Sequence, residues 1–426
     1  MRILLFWLGL LATAFGLFHY LEQHKFAPDQ LLYAQVGQAQ VSADGLAYLN
    51  RLRQEVGLQA LAYNAELEQA AANHARYLTE HPDEGHDEHN RQSPLFTGLR
   101  PSERARHAGY LYQGVHENVS TSGRYRDSAQ GRDFAVRQQV DGLMTAIYHR
   151  FSLLDQEIDE AGAAWADNGK TAAFVVKQGQ RAFNRLCGIG RRYAEPGRSY
   201  YKEACFNGAL VYADEVSQPR RLAYVAYPIG HTAMPEFHGE RPDPMPGRSF
   251  TGNPVSIAFA EGSARIEMRT FKLYQGQQEV SPVRILTQHN DPNGLFNERQ
   301  FALFPLQPLA YDTPYRAVFE YEQNGRRETA EWTFRTRKPD YPYFRVNGGE
   351  RLALQSGQTY VIHWENRWCL QDCPQLTYQQ RGGAKLEVLE RQIGGIVVRV
   401  NGVRGGDVRL MWGKEQDSAL MLYLTE

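Results

Sequence analysis

Three short segments carry most of the candidate chemistry in this chain. They are Gly85-His86-Asp87-Glu88-His89, His116-Glu117-Asn118-Val119 and Ala146-Ile147-Tyr148-His149-Arg150. Nine of the thirteen histidines precede residue 150, so the titratable imidazoles gather in the first third of the sequence. Neutral imidazoles suit a divalent metal such as zinc, and a nearby carboxylate can ligate the ion or orient a histidine. Two histidines plus Glu117 would leave one position for water, as a metal-assisted hydrolase requires. The same groups can equally form a hydrogen-bonded cluster that only fixes a cleft. Other residues read more plainly. His74 lies on the apolar face of an expected helix, as a core histidine would. Ser120 and Ser122 lack the Gly-x-Ser-x-Gly elbow of a serine hydrolase. Arg100, Arg104 and Arg106 read as a solvated face, and Asp291 to Gly294 as a turn rather than a Ca²⁺ loop.

Each of the three segments falls at the boundary of an expected element, where side chains can converge on a cleft. Asp44 is the expected cap of a helix carrying Leu46, Leu49, Leu52 and Val56 at helical spacing, with Gly57 as its stop. Asn64 caps a second helix, with Leu67, Ala71, His74 and Leu78 on one face. A third runs from about Phe134 to Tyr148. Ala172 to Val176 reads as a short buried strand, and Ala209 to Tyr212 as another. Helices mixed with strands imply α/β layering. After Tyr227 the prolines at 228, 235, 242, 244, 246 and 254 suggest a linker. Beyond it the apolar residues alternate at period two, and Asn324-Gly325 marks a hairpin. A second all-β stretch, with strands such as Thr359 to Trp364 and Ile396 to Val400, runs to the end.

The ordered segments carry a resemblance. Leu49-Asn50-Arg51-Leu52-Arg53, Gly57 to Leu61, His74-Ala75, Phe96-Thr97-Gly98, Ala108-Gly109-Tyr110, Glu117-Asn118-Val119 and Tyr148-His149-Arg150 together resemble bacterial CAP domains, the cysteine-rich secretory protein-like or SCP family. The resemblance covers roughly residues 42 to 212. It implies an α-β-α sandwich whose central cleft is faced by two histidines and one or two acids, sometimes with a divalent metal. Carried over by motif, the cleft residues are Glu117, His149 and either His86 or His89, with His86 preferred because Glu88 follows it. The implied metal ligands are His86 and His149. The second acid has no clear counterpart; Asp141 is the nearest. Tyr148 also departs from the family's glycine before the last histidine. The stretches Glu240-Arg241-Pro242-Asp243-Pro244, Gly252-Asn253-Pro254-Val255 and Trp332 to Thr336 resemble the Ig-like extension fused to some bacterial CAP proteins.

The expected layout is a leader at 1–24, a CAP domain at 40–224, a Pro-rich linker at 225–254, an Ig-like β-sandwich at 255–338 and an all-β domain at 339–426. Arg2 precedes an apolar run from Ile3 to Phe18, which reads as a cleaved signal peptide or an uncleaved anchor. Either exports the rest of the chain to the periplasm or cell envelope. The four cysteines fit that compartment, pairing as Cys187–Cys205 and Cys369–Cys373. Net charge is -1 with no long run of one sign, which argues against a nucleic acid partner. The membrane enters only through the N-terminal segment, if it stays attached. The expected function is a binding or scaffold module of the envelope, its cleft taking a small apolar ligand, a lipid or a divalent metal. The alternative is a hydrolase of peptide or envelope polymer, with Glu117 as general base beside His86 and His149.

Overall fold

The computed structural model describes residues 28–123, 131–216, 221–237, 239–248, 251–339, 341–364, 376–392, 395–412 and 419–425. The leader at 1–24 and the pair Cys369 and Cys373 lie outside these residues. The first domain runs α1 (Pro28–Glu55), β1 (Ala62–Tyr63), α2 (Ala65–Glu80), α3 (Pro101–His107), β2 (His116–Gly123), α4 (Gly131–Thr145), α5 (Ile147–Leu153), β3 (Glu160–Asp167), β4 (Thr171–Gly179) and α6 (Arg181–Cys187). Its sheet has the order β1-β3-β4-β2, parallel only between β1 and β3.

Both faces of that sheet are covered, which explains the unbroken apolar run in β4. Phe174 and Val176 point to one side, against Leu49 and Leu52 of α1 and Val136 and Val140 of α4. Ala173 and Val175 point to the other, against Ala71, Ala75 and Leu78 of α2. The alternation is the period of a strand, and two covered faces make an α-β-α sandwich. At Gly162 a Cβ would lie 1.9 Å from the backbone nitrogen of Glu68, so α2 rests directly on the backbone of β3.

Asn64 caps α2 as its sequence predicts, accepting from Leu67 N at 2.9 Å. Asp44 does not cap α1. It lies inside the helix and accepts from Gln40 Nε2 at 2.8 Å. Pro28 occupies the first helical position and no later proline interrupts the segment, so the helix starts well before Asp44. Gly57, at φ +87°, ends that turn of chain. The expected single helix over 134–148 is divided at Ala146, whose extended backbone (ψ 117°) opens α5 as a separate turn.

The second unit is a β-sandwich of Ig-like type. One sheet orders Val283–Leu286, Gln300–Pro305, Val255–Phe259 and Tyr224–Tyr227; the other orders Gln278–Glu279, Glu267–Gln275, Pro314–Gln323, Arg326–Thr336 and Gly230–Ala233. Ile257, Leu303, Phe271, Phe319 and Trp332 fill the space between. Asn324 and Gly325 both take positive φ (53° and 73°) in the expected hairpin. The stretch 225–254 is not a bare linker. Tyr224–Tyr227 pairs antiparallel with Val255–Phe259, and Gly230–Ala233 lies parallel to Arg326–Thr336. Pro228 and Pro235 fall after these strands rather than within them, where no ladder bond is lost. The third unit packs two four-stranded sheets around Ile362, Trp364, Val398, Leu410 and Leu422.

The first two units share a core. Val225 and Tyr227 join the apolar cluster under α1 and α4. Ala146 and Ile147 of the α4–α5 junction pack with Phe237, Met245, Phe296 and Phe304 of the second unit. The helix bearing His149 is therefore seated between two units.

Candidate functional site

Glu117 stands on β2 directly opposite Lys177 of β4. Its side chain is 1% exposed and lies among cations. Lys177 Nζ donates to Oε2, and Arg104 of α3 donates to both oxygens at 2.9 and 3.0 Å. His86 Nδ1 lies 3.1 Å from Oε1. Burial alone would push this carboxyl up, but Lys177, His74, His86 and Arg104 outweigh it and hold the group well below the usual range. Burial lowers Lys177 to about 8 despite Glu117, which still leaves it protonated at neutral pH. An ionised carboxylate only accepts, so His86 donates from Nδ1, which leaves its Nε2 facing away from Glu117.

His149 is set by a second chain of contacts. Asn118, next to Glu117, donates from Nδ2 to Gln178 Oε1 at 2.7 Å. That fixes its carbonyl oxygen against His149 Nδ1 at 3.0 Å, so Nδ1 donates and Nε2 carries the lone pair. Burial and the neighbouring His86 push His149 down to about 4, so its ring is neutral near pH 7. The two rings have centroids 5.9 Å apart and line one cavity of about 480 Å³ with Val119, Leu143, Ala146 and Glu240.

The structure brings together His86, Glu117 and His149. His89 stays outside; it is exposed, and its backbone N donates to Glu84 Oε2 at 2.6 Å. His74 is a fully buried histidine between Glu88 (3.0 Å) and the Gly85 carbonyl (2.9 Å), behind the site. Asp141 is not the missing second acid. Its side chain binds Tyr48 Oη at 2.6 Å and Arg337 at 3.1 Å, because α4 turns that position toward α1 and the second unit. Burial, stronger than Arg337 and Tyr48, raises it to about 6. The acid beside His149 is instead Glu240 of the second unit, whose Oε1 lies 4.0 Å from His149 Nε2. Glu240 accepts the backbone N–H groups of Tyr148 and His149 at 3.2 and 2.9 Å, and burial raises it to about 7.

Several contributors have weak sequence signals. Arg104, expected on a solvated face, is fully buried, and its Nη2 also donates to the His86 carbonyl at 2.6 Å. Lys177 continues the apolar run of β4, and a lysine inside a buried strand is a signal for a paired charge. Glu240 has none, since nothing local ties a Pro-rich stretch to a histidine 91 residues earlier. Tyr148 and Arg150, flanking His149, both dock the second unit. Tyr148 Oη donates to Asp291 and accepts from Asn293 at 2.8 Å. Arg150 donates to the Pro254 carbonyl, to Asn253 Oδ1 (2.6 Å) and to Ser256 Oγ (3.1 Å). Ser120 and Ser122 are bridged by Gln139.

For a divalent metal, the donors that fit are the two Nε2 atoms. Each ring is oriented through its Nδ1 by a partner behind it, the usual support of a ligating histidine. Two imidazoles on one tetrahedral ion have centroids roughly 5–6 Å apart, given Zn–N of about 2.1 Å. Glu117 does not fit as a ligand, because Arg104 and Lys177 already occupy its oxygens. Among the described residues, no group of three or more His, Cys, Asp or Glu side chains is arranged to hold a metal ion. The rest of the coordination would come from solvent or ligand.

An α-β-α sandwich with two oriented imidazoles and a buried carboxylate at its cleft defines the class of CAP domains. Residues 46–178 match the family model of the cysteine-rich secretory protein family, and the first domain is a CAP domain of that family. A search of the curated proteins found no match. Among solved structures, the chain is similar to an extracellular SCP-domain protein from Bacillus anthracis str. Ames (15% identity, TM-score 0.29, covering 37% of this chain and 44% of that one). It is also similar to an outer surface protein from Borrelia burgdorferi (18%, 0.26, covering 32% and 89%). A titin fragment is similar over 47% of this chain and 96% of its own, at 12% identity and TM-score 0.15. The chain thus spans under half of the Bacillus protein's length. At such scores the assignment rests on the family match and on the geometry.

Proposed function

We propose that this is an exported CAP-domain binding protein of the bacterial envelope whose cleft takes a divalent cation, with zinc as the chemistry it suits. A small apolar or lipid ligand would share the cavity, along Val119, Leu143 and Ala146. The observation that carries the reading is the pair of imidazoles, each held through its Nδ1 by Glu117 or Asn118, with rings 5.9 Å apart at one cavity. Export is supported by the Cys187–Cys205 disulfide, a bond that persists in oxidising compartments. A hydrolase using Glu117 as general base is disfavoured. Its carboxyl is held far below the working pH and offers no free oxygen, whereas a base needs a matched pKa and reach to its proton.

Calorimetric titration of the full chain with Zn²⁺ tests the reading. His86→Ala and His149→Ala should each abolish the heat of binding, while His89→Ala should leave it unchanged. Glu117→Gln should weaken binding by about 10- to 100-fold, as loss of an orienting partner does. Equal heats from the parent and both cleft variants would remove the cation from the proposal.

A further inference from the structure

His149 is held from two sides by two different units. The CAP sheet fixes its ring: Asn118 of β2, itself bound to Gln178 of β4, accepts from Nδ1 at 3.0 Å. The Ig-like unit fixes its backbone. Glu240 Oε1 accepts the His149 N–H at 2.9 Å, and Oε2 accepts the Tyr148 N–H at 3.2 Å. The side chains on either side of the histidine are held by that same unit, Tyr148 through Asp291 and Asn293, Arg150 through Asn253, Pro254 and Ser256.

The place of Glu240 answers a local need. The first N–H groups of a helix have no partner within it, and a Ser, Thr, Asp or Asn just before the helix usually accepts from them. Before α5 stands Ala146, which has no side chain for that task. The acceptor comes instead from 91 and 92 residues further along the chain. A carboxylate there also meets the positive end of the helix dipole. The Glu240 side chain is 0% exposed, and burying a carboxylate is costly unless its oxygens are engaged. Phe237 and Met245 pin the chain before and after it, in one apolar cluster with Ala146 and Ile147. Gly239 takes φ +106° directly before the glutamate, a backbone that a side chain would resist.

We propose that Glu240 is a positioning residue of the histidine cleft: by capping α5 from the Ig-like unit, it holds His149 where Nδ1 reaches Asn118 and the ring lines the cavity. The cleft is then a joint site of two units, and cation affinity belongs to the pair rather than to the CAP domain alone. That statement about affinity rests on the cation reading; the ring geometry does not.

Ring-nitrogen NMR spectra of the ¹⁵N-labelled full chain, recorded without metal at neutral pH, test the geometry. The His149 signals are identified by their loss in His149→Ala. In the parent the ring should be a single tautomer protonated at Nδ1. Glu240→Ala should mix in the form protonated at Nε2. Glu240→Gln keeps one acceptor oxygen and should mix in less of it; this variant carries the test if the alanine variant fails to fold. Tyr148→Phe loosens the same junction without touching the cap, and should leave the parental tautomer, which separates positioning from general loosening. In zinc calorimetry Glu240→Ala should weaken binding by about tenfold or more, and Tyr148→Phe by less than about threefold. If the parent binds no zinc, the cation reading fails, and the spectra alone decide the role of Glu240. A parental tautomer in the glutamate variants overturns the proposal. So does equal mixing in Tyr148→Phe, or zinc binding abolished by Glu240→Gln with the tautomer intact, which would make the glutamate a ligand.

Discussion

Glu117→Gln separates a structural keystone from a spare cleft acid. In the folded chain Glu117 is the counter-ion of two fully buried cations, Arg104 and Lys177. The amide keeps the shape and removes the charge. Arg104 would retain Glu88, whose Oε1 lies 3.7 Å from its Nε. Lys177 would be left with the Pro101 carbonyl at 3.3 Å and no anion in direct contact. Stranding one charge of a buried pair costs about 3–5 kcal/mol. That is a large share of the roughly 5–15 kcal/mol available to a domain. Because the chain has three units, the effect is best read locally, as amide hydrogen exchange in β2 and β4 peptides. A loss of about 3 kcal/mol corresponds to exchange faster by more than about a hundredfold. Adding Lys177→Met should recover about 2 kcal/mol, since the stranded charge is gone. Exchange within about threefold of the parent in Glu117→Gln would refute the ion-pair reasoning, because it would mean the carboxylate is not holding those cations.

Other expectations follow from the same contacts. Tyr148→Phe loses the hydroxyl that joins α5 to Asp291 and Asn293; a cost of about 1–2 kcal/mol should appear as faster exchange over 147–153 and 287–297, and unchanged exchange would sink the docking role. Asp141 is raised from 3.8 to about 6 in the folded chain, which therefore binds its proton more tightly than the unfolded chain. The resulting stabilisation, roughly 3 kcal/mol at most, is complete below pH 3.8 and lost as pH rises through 6. Asp141→Asn should flatten the stability of the first domain between those limits, and an unaltered pH slope would show that Asp141 does not carry it. Cys187→Ser opens a link between residues 18 apart, which should cost about 3 kcal/mol and loosen 181–212 in exchange; a parental exchange pattern would contradict this.

The architecture was legible wherever burial follows chain periodicity. Ala172 to Val176 reads as a strand covered on both faces, Asn64 as a cap and Asn324-Gly325 as a hairpin, because each signal is local. The histidines at 86 and 149 and the acid at 117 were legible only through ordered motifs, since nothing in their spacing says that they meet. What stayed hidden is tertiary. Arg104 looks like one more surface arginine until α3 folds it under the His86 loop. Asp141 is the acid nearest the motif in sequence, but the helix turns it toward Tyr48. The prolines around Glu240 suggested a spacer, yet they only bracket strands, and the segment between them reaches back to the cleft.

The seating of α5 has a practical bearing on how the molecule is handled. A fragment trimmed to the family-matched stretch, 46–178, would carry Ile147, Tyr148 and Phe151 without the hydrophobic partners that cover them. It would also leave the Arg150 guanidinium without the Asn253, Pro254 and Ser256 acceptors that neutralise its desolvation. Such a truncate should clump or misfold, and its His149 would be presented differently from that of the intact chain. Excision therefore has to run through the end of the sandwich, near residue 338, for the histidine cleft to be studied as it stands.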